Sequence, residues 1–122
     1  MNSKAVAERR KARRVKVNAR AATISGGKTM SCRLIDISRL GAAAVVAAKI
    51  PELSLVMVDL RLGGGELPTV LVKGQAAVVR CDALKDGTFE CGLFFLDLKE
   101  ETRLELDGFV AASERIDPAS AL

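Results

Sequence analysis

Histidine, tryptophan and tyrosine are absent from this chain of 122 residues, and phenylalanine occurs four times. Without histidine there is no imidazole to act as a general base, to activate a serine or cysteine, or to bind a metal ion. With so few aromatic rings, the core must be mainly aliphatic, and we expect no exposed aromatic rings on which single-stranded nucleic acids could stack. The composition therefore disfavours an enzyme.

Cysteine is also scarce: Cys32, Cys81 and Cys91 are an odd set without C-x-x-C spacing. Each lies in an apolar stretch typical of a strand, so we interpret all three as small core residues and expect no disulfide, metal or cofactor. The longest uncharged apolar run, Leu40 to Ala48, has nine residues. This is far short of a membrane span, and the N-terminus lacks a signal-peptide apolar region. We expect a cytoplasmic protein.

Positive charge is concentrated at the N-terminus, although the whole chain has a net charge of only +4. Residues 1–20 contain eight of the 19 Lys and Arg residues and one of the 15 acidic residues, a net charge of +7. The remainder therefore has a net charge of −3. This asymmetry favours an anionic partner, whether nucleotide, nucleic acid or membrane surface, although a basic tail can also serve only solubility.

Hydrophobic periodicity predicts six strands separated by turn signals, with no helical pattern between them. Apolar residues alternate with polar ones, Gly26 and Gly27 mark a turn that makes the first two strands a hairpin, and Gly74 is expected to mark a bend or bulge. This pattern is typical of an antiparallel barrel or sandwich. The predicted strands span residues 15–22, 30–37, 42–48, 55–62, 70–81 and 88–96.

One helix is predicted after the last strand. Asp97 is the expected N-cap, with Glu100 three residues later as in a capping box. Leu106, Phe109 and Val110 follow the i, i+3, i+4 spacing of an apolar stripe. We therefore expect the helix to pack against the strands.

Arginines stand directly before the first strand. Arg10 and Arg14 are four residues apart, and Arg9 and Arg13 repeat this spacing. A guanidinium group can bind two phosphate oxygens at once, and its plane can stack on a purine base. An arginine-rich tail also produces this spacing by chance, so a solvated basic tail is the alternative.

A second polar motif, D-x-S-x-x-G, ends the second strand and consists of Asp36, Ser38 and Gly41. A carboxylate can accept two hydrogen bonds from the N1–H and N2 amino edge of guanine, a donor pair that adenine lacks. Gly41 is expected to take a positive φ and to let the backbone approach a ligand closely. The alternative is an ordinary Asx or Ser turn between strands.

Together, R-x-x-x-R followed by D-x-S-x-x-G resembles the PilZ domain family. The 22 residues from Arg14 to Asp36 suffice for a strand, a turn and a returning strand, which would bring the two motifs together. The Ala77 to Arg80 and Phe89 to Phe95 strands and the helix start at residues 97–101 also match. The resemblance covers about residues 8–112.

The resemblance implies a mainly β fold, a six-stranded antiparallel barrel with a C-terminal α-helix. The domain would occupy residues 9–112, between a flexible lead-in (1–8) and a flexible tail (113–122). It further implies a non-catalytic bacterial receptor for the second messenger cyclic di-GMP, acting in processes such as motility or biofilm formation.

The resemblance also implies roles for individual residues. Arg10 and Arg14 would hold phosphates and guanine faces, Asp36 and Ser38 would read a guanine edge, and Gly41 would shape the turn. Arg14 is preferred because it directly precedes the strand-opening Val15, as the second arginine does in the family. The candidates for secondary contacts are Arg9, Arg13, Arg39 and Arg80.

Ligand binding would order the basic N-terminal residues over the barrel and so recruit or release a downstream protein. Two alternatives stay open. The chain could be a PilZ-like protein-interaction module that binds no nucleotide. It could also bind nucleic acid nonspecifically through residues 4–20, which would make binding steeply salt-dependent; nucleic acid is the less expected partner.

Overall fold

The computed structural model describes residues 14–17, 22–25 and 28–116, which form seven strands and one helix. The strands are β1 (Val15–Lys16), β2 (Ala22–Ser25), β3 (Thr29–Ile37), β4 (Gly41–Val46), β5 (Leu55–Gly64), β6 (Leu67–Ala83) and β7 (Phe89–Phe95), and the helix is α1 (Glu100–Ile116). The six predicted strands and the helix are confirmed, although the bounds of the first strand differ. β1 lies within the predicted range 15–22, whereas β2 begins at its last residue, Ala22, and extends to Ser25, for which the sequence predicts a turn.

The strand pairings close into a ring, and all of them are antiparallel. β3 pairs with β2, β2 with β5, β5 with β6, β6 with β7, β7 with β4, and β4 again with β3. β1 adds to the far end of β3, where Val15 lies opposite Ile37. Each of the six strands in the ring therefore has a neighbour on both sides, which is the arrangement of the predicted barrel.

The core lies inside the ring and is aliphatic, as the composition predicts. Along β5 every second side chain is buried, including Val58 at 2% exposure, while Met57 and Asp59 beside it are exposed. This is the period of two expected of a strand with one face in the core. The helix α1 packs against β6 and buries Leu106 and Phe109.

The start of α1 differs from the prediction. The first helical hydrogen bond runs from the Arg103 N–H to the Lys99 carbonyl at 3.1 Å, which makes Lys99 the N-cap. The prediction of Asp97 as the N-cap is therefore wrong. The Asp97 carboxylate instead accepts a hydrogen bond from the Gln75 N–H of β6 at 2.7 Å. This hydrogen bond connects the segment before α1 to the barrel.

The predicted alternative of a bulge at Gly74 is also wrong. Gly74 lies opposite Val58 in an uninterrupted stretch of the β5–β6 ladder. A Cβ atom at this position would lie 2.6 Å from Asp97 Oδ1, so the glycine makes room for that carboxylate. β6 has irregularities elsewhere, at Val79, where the register with β7 shifts, and between Leu67 and Val70, where the register with β5 shifts.

The predicted flexible ends lie mostly outside the described residues. Of the lead-in, residues 1–8, nothing is described, and of the tail only residues 113–116 are, which continue α1. The three cysteines are buried, as expected of core residues, and they are unbridged in this structure. Within the described ranges, no helix is both long enough and apolar enough to cross a membrane.

Candidate ligand-binding site

β1 brings Arg14, the second arginine of its motif, beside the D-x-S-x-x-G motif. Lys16 pairs with Asp36 in the β1–β3 ladder, so Arg14, two residues earlier, lies at the end of the same strand pair. Arg14 Nη1 is 3.4 Å from Asp36 Oδ1, and the two side chains are 51% and 24% exposed. The hairpin thus places this arginine and this carboxylate together, both within reach of a ligand in solvent.

Ser38 is turned away from the solvent and is 1% exposed. Its hydroxyl oxygen accepts hydrogen bonds from the Leu40 N–H at 3.1 Å and the Gly41 N–H at 3.4 Å. Its own N–H donates to the Gly41 carbonyl at 2.9 Å. Ser38 therefore holds the β3–β4 turn in shape, which is the Ser-turn role that the sequence leaves open as an alternative.

Gly41 does not have the positive φ expected of it; among the described glycines, only Gly63, Gly64, Gly65 and Gly87 do. It begins β4 opposite Phe94 of β7. A Cβ atom there would lie 2.1 Å from the Leu93 carbonyl oxygen, which is closer than a carbon and an oxygen that are not bonded to each other can approach. A glycine is thus required because β7 passes directly against it.

Asp36 begins a row of four residues across neighbouring strands, which we call the outer row. Asp36 lies opposite Ala43, Ala43 opposite Gly92, and Gly92 opposite Arg80. Both strand neighbours of Ala43 and of Gly92, and one neighbour each of Asp36 and Arg80, belong to the core cluster, so these four positions face outward. The other two neighbours, Ile35 and Val79, lie where the register shifts. With strands about 4.8 Å apart, the row from Asp36 to Arg80 spans roughly 14 Å.

Arg80 closes the far end of the outer row. A Cβ atom at Gly92 would be 3.0 Å from Arg80 Cγ and 3.1 Å from Nε, so the arginine lies across this glycine. Its Nη2 is 3.0 Å from a Glu90 carboxylate oxygen and its Nη1 is 3.0 Å from one of Asp82. The hydrogen bond to Glu90 is the main cause that raises the pKa of Arg80. The outer row thus has an arginine–carboxylate contact at each end.

The PilZ domain family matches residues 8–112 of the chain. The chain belongs to the PilZ domain family.

Solved structures share this fold. The Bacillus subtilis inhibitor of motility, MotI/DgrA, has a TM-score of 0.78 at 16% identity, over 88% of this chain and 52% of its own. The Escherichia coli YcgR PilZ domain with c-di-GMP has a TM-score of 0.63 at 17% identity, over 93% of this chain and 97% of its own. A longer E. coli YcgR chain in complex with c-di-GMP has a TM-score of 0.66 at 19% identity, over 93% of this chain and 49% of its own.

This PilZ domain therefore spans about half the length of MotI/DgrA and of the longer YcgR chain, and nearly all of the isolated YcgR domain. At these identities the likeness establishes the fold. No curated protein matches the chain in sequence.

Of the remaining candidates, Arg39 is exposed in the β3–β4 turn, beside Ser38. Arg9, Arg10 and Arg13 lie outside the described residues. In the part of this PilZ domain that is described, no group of three or more Cys, Asp or Glu side chains is arranged to hold a metal ion.

Sequence reasoning missed the acidic partners of Arg80 and the two small residues, Ala43 and Gly92, in the middle of the outer row. Glycine inside a predicted strand is a signal of close approach by another group, and it could have pointed to Gly92. The contact between Arg80 and Glu90 could not have been predicted from the sequence, because it depends on the register between β6 and β7.

Proposed function

We propose that this PilZ domain is a cytoplasmic, non-catalytic receptor that binds cyclic di-GMP on its outer face, beginning at Arg14 and Asp36. The observation that carries the proposal is the contact between these two side chains at 3.4 Å, formed by motifs 22 residues apart. The YcgR structures contain c-di-GMP, and this domain shares their fold and belongs to the same family.

The chemistry of the pair suits a guanine nucleotide. The Asp36 carboxylate would accept hydrogen bonds from the N1–H and N2 amino group of guanine. Arg14 has five N–H donors and uses one of them on Asp36, so the others would bind a phosphate of the same ligand. Arg10 would act beside Arg14 on the phosphates, while Ser38 and Gly41 would act by fixing the turn that carries Asp36.

Arg80 would provide a secondary contact at the other end of the outer row. Because the outer row spans roughly 14 Å, one ligand would have to extend along the whole row to contact both ends. Arg80 would have to share or exchange its bonds to Glu90 and Asp82 in order to bind a phosphate. Arg9, Arg13 and Arg39 are the other proposed secondary contacts.

The folding of the basic N-terminal residues against the barrel would be the signal that ligand is bound. Residues 1–20 carry a net charge of +7 and repel one another, so a ligand with two phosphates would favour their folding against the barrel. The new surface would recruit or release a downstream protein. Because MotI/DgrA is an inhibitor of motility, we propose a partner in motility.

Calorimetric titration with cyclic di-GMP tests the proposal. Arg14→Ala and Asp36→Ala should each weaken binding by about tenfold to a hundredfold, as expected for hydrogen bonds to charged groups. Both variants should remain folded, since neither side chain lies in the core. Arg61→Ala and Asp59→Ala, on the exposed face of β5, are the matched controls and should bind as the unmodified protein does.

Two results would contradict the proposal. One is no saturation by the unmodified protein at about 100 μM ligand, which corresponds to a binding free energy weaker than about −5.5 kcal/mol. The other is unchanged affinity in both site variants. The first result would favour a protein-interaction module without nucleotide binding. The positions of Ser38 and Gly41 are compatible with that function, since turn formation and strand packing already account for both residues.

A further inference from the structure

Two buried thiols face each other on the core side of the sheet, next to Arg80. Cys81 of β6 and Cys91 of β7 are directly opposite in the antiparallel ladder. Their Sγ atoms are 3.2 Å apart, the side chains are 8% and 0% exposed, and both are unbridged. Nothing in the proposed ligand-binding function uses either thiol.

We propose that Cys81 and Cys91 form a thiol–disulfide couple, a site of reversible oxidation by hydroperoxides. The proposal does not depend on whether the domain binds cyclic di-GMP. It rests on the placement of the two sulfurs in the barrel.

The backbone already has the geometry that a disulfide needs. Directly opposed residues of antiparallel strands have Cα atoms about 4.5–5.5 Å apart, within the range of about 4.4–6.8 Å found for disulfides. The Sγ atoms must approach from 3.2 Å to the bond length of about 2.05 Å. Small side-chain rotations would cover this difference, so the barrel can stay intact in both states.

The hydrogen bonds around the pair favour Cys81 as the sulfur that reacts first. The Cys91 thiol donates to Cys81 Sγ at 3.2 Å, and the Ile50 N–H donates to the same sulfur at 3.5 Å. The Cys91 S–H is therefore directed at the sulfur that it attacks in the second step, which leaves Cys81 as the sulfur that meets the peroxide. Cys81 is also the more exposed of the two. Burial first, and then its hydrogen bond to Cys81, raises the pKa of Cys91 to about 12, which disfavours Cys91 as the thiol that attacks the peroxide.

The reaction balances with one hydroperoxide. The Cys81 thiol loses its proton, and its sulfur attacks the terminal peroxide oxygen, breaking the O–O bond. This gives a sulfenic acid, while the alcohol, or water from hydrogen peroxide, leaves with the proton. Cys91 Sγ then attacks Cys81 Sγ, the S–S bond forms, and the sulfenic hydroxyl leaves as water with the Cys91 proton. Both thiols are oxidised by one electron each and the peroxide is reduced by two.

Cys32 provides an internal comparison. It is equally buried, but it lies on β3 opposite Val46, so neither other cysteine is its cross-strand partner. Burial raises the pKa of Cys32 to about 11, as it raises the pKa of Cys91, so the position of Cys32 in the sheet is what distinguishes it from the pair. Selective oxidation should therefore join Cys81 to Cys91 and leave Cys32 reduced.

Peptide mapping of the folded chain tests the proposal. The protein is treated with hydrogen peroxide, its remaining thiols are alkylated, and trypsin is added. Cleavage after Lys and Arg places the three cysteines on separate peptides, 29–33, 81–85 and 86–99. We expect 81–85 linked to 86–99, with alkylated Cys32, and recovery of both free peptides when dithiothreitol precedes alkylation.

Three comparisons make the result decisive. Cys32→Ser should retain the link, whereas Cys81→Ser and Cys91→Ser should lose it, with circular dichroism to check that each variant is folded. Oxidation in urea should instead give links that include Cys32. The peroxide concentration is one that oxidises glutathione completely. The proposal is overturned if, under this condition, the folded, unmodified chain shows no link between peptides 81–85 and 86–99. It is also overturned if Cys32 is linked equally often, or if Cys81 is oxidised to sulfinic acid without forming a link.

Discussion

At the scale of single residues, Ser38 is the motif residue whose role the structure changes most. Its hydroxyl satisfies two backbone N–H groups in the β3–β4 turn. We expect Ser38→Ala to lower the free energy of unfolding by about 1–2 kcal/mol, because these donors lose their acceptor. Urea denaturation measures this loss, and Ser31→Ala, at an exposed position of β3, is the control. Unchanged stability would show that the hydroxyl is not required for the turn.

Arg80 allows a test in which two substitutions should act in opposite directions. Glu90 and Asp82 hold the guanidinium at 3.0 Å each. If Arg80 contacts the ligand, Glu90→Gln should strengthen cyclic di-GMP binding by about two- to fivefold, the scale of a partly exposed ion pair. Arg80→Ala should weaken binding. Calorimetry that finds both affinities unchanged would remove Arg80 from the proposed site.

At the scale of elements, two glycines should respond oppositely to alanine. At Gly41 a Cβ atom would meet the Leu93 carbonyl oxygen at 2.1 Å and push β4 away from β7, so Gly41→Ala should destabilise the fold by about 2 kcal/mol or more. At Gly108, in α1, a Cβ atom meets nothing within 4 Å. Gly108→Ala should therefore stabilise the fold by roughly 0.5–1 kcal/mol.

Urea midpoints at equal m-values measure both effects. A Gly41→Ala variant as stable as the unmodified domain would mean that β4 and β7 do not approach as closely as described. A destabilised Gly108→Ala variant would contradict the assignment of that position to the exposed face of the helix.

At the scale of the whole molecule, the closed barrel makes inner and outer positions of one strand behave differently. Val58 is 2% exposed inside the ring, and its neighbour Met57 is 51% exposed. Val58→Asp should unfold the domain because it buries an unpaired charge. Met57→Asp should change the free energy of unfolding by less than about 1 kcal/mol. Thermal melts followed by circular dichroism distinguish the two variants. If Val58→Asp melts cooperatively near the melting temperature of the unmodified domain, Val58 does not lie in the core as described.

The sequence by itself determined the elements, because the patterns that specify them are local. Alternating burial along β5, the glycine turns and the Leu106–Phe109–Val110 stripe each depend on residues a few positions apart. The order of the two motifs also predicted that Arg14 would meet Asp36, since one hairpin connects them.

Only the tertiary structure decided what depends on register between distant strands. Gly41 is required by Leu93, 52 positions later, rather than by a positive φ. Asp97 bonds to Gln75 rather than capping α1, and Cys81 faces Cys91 because β6 and β7 align them. A shift of one residue between β6 and β7 would separate Cys81 from Cys91. Periodicity reveals which residues face inward, whereas the closed ring of pairings decides which of them meet.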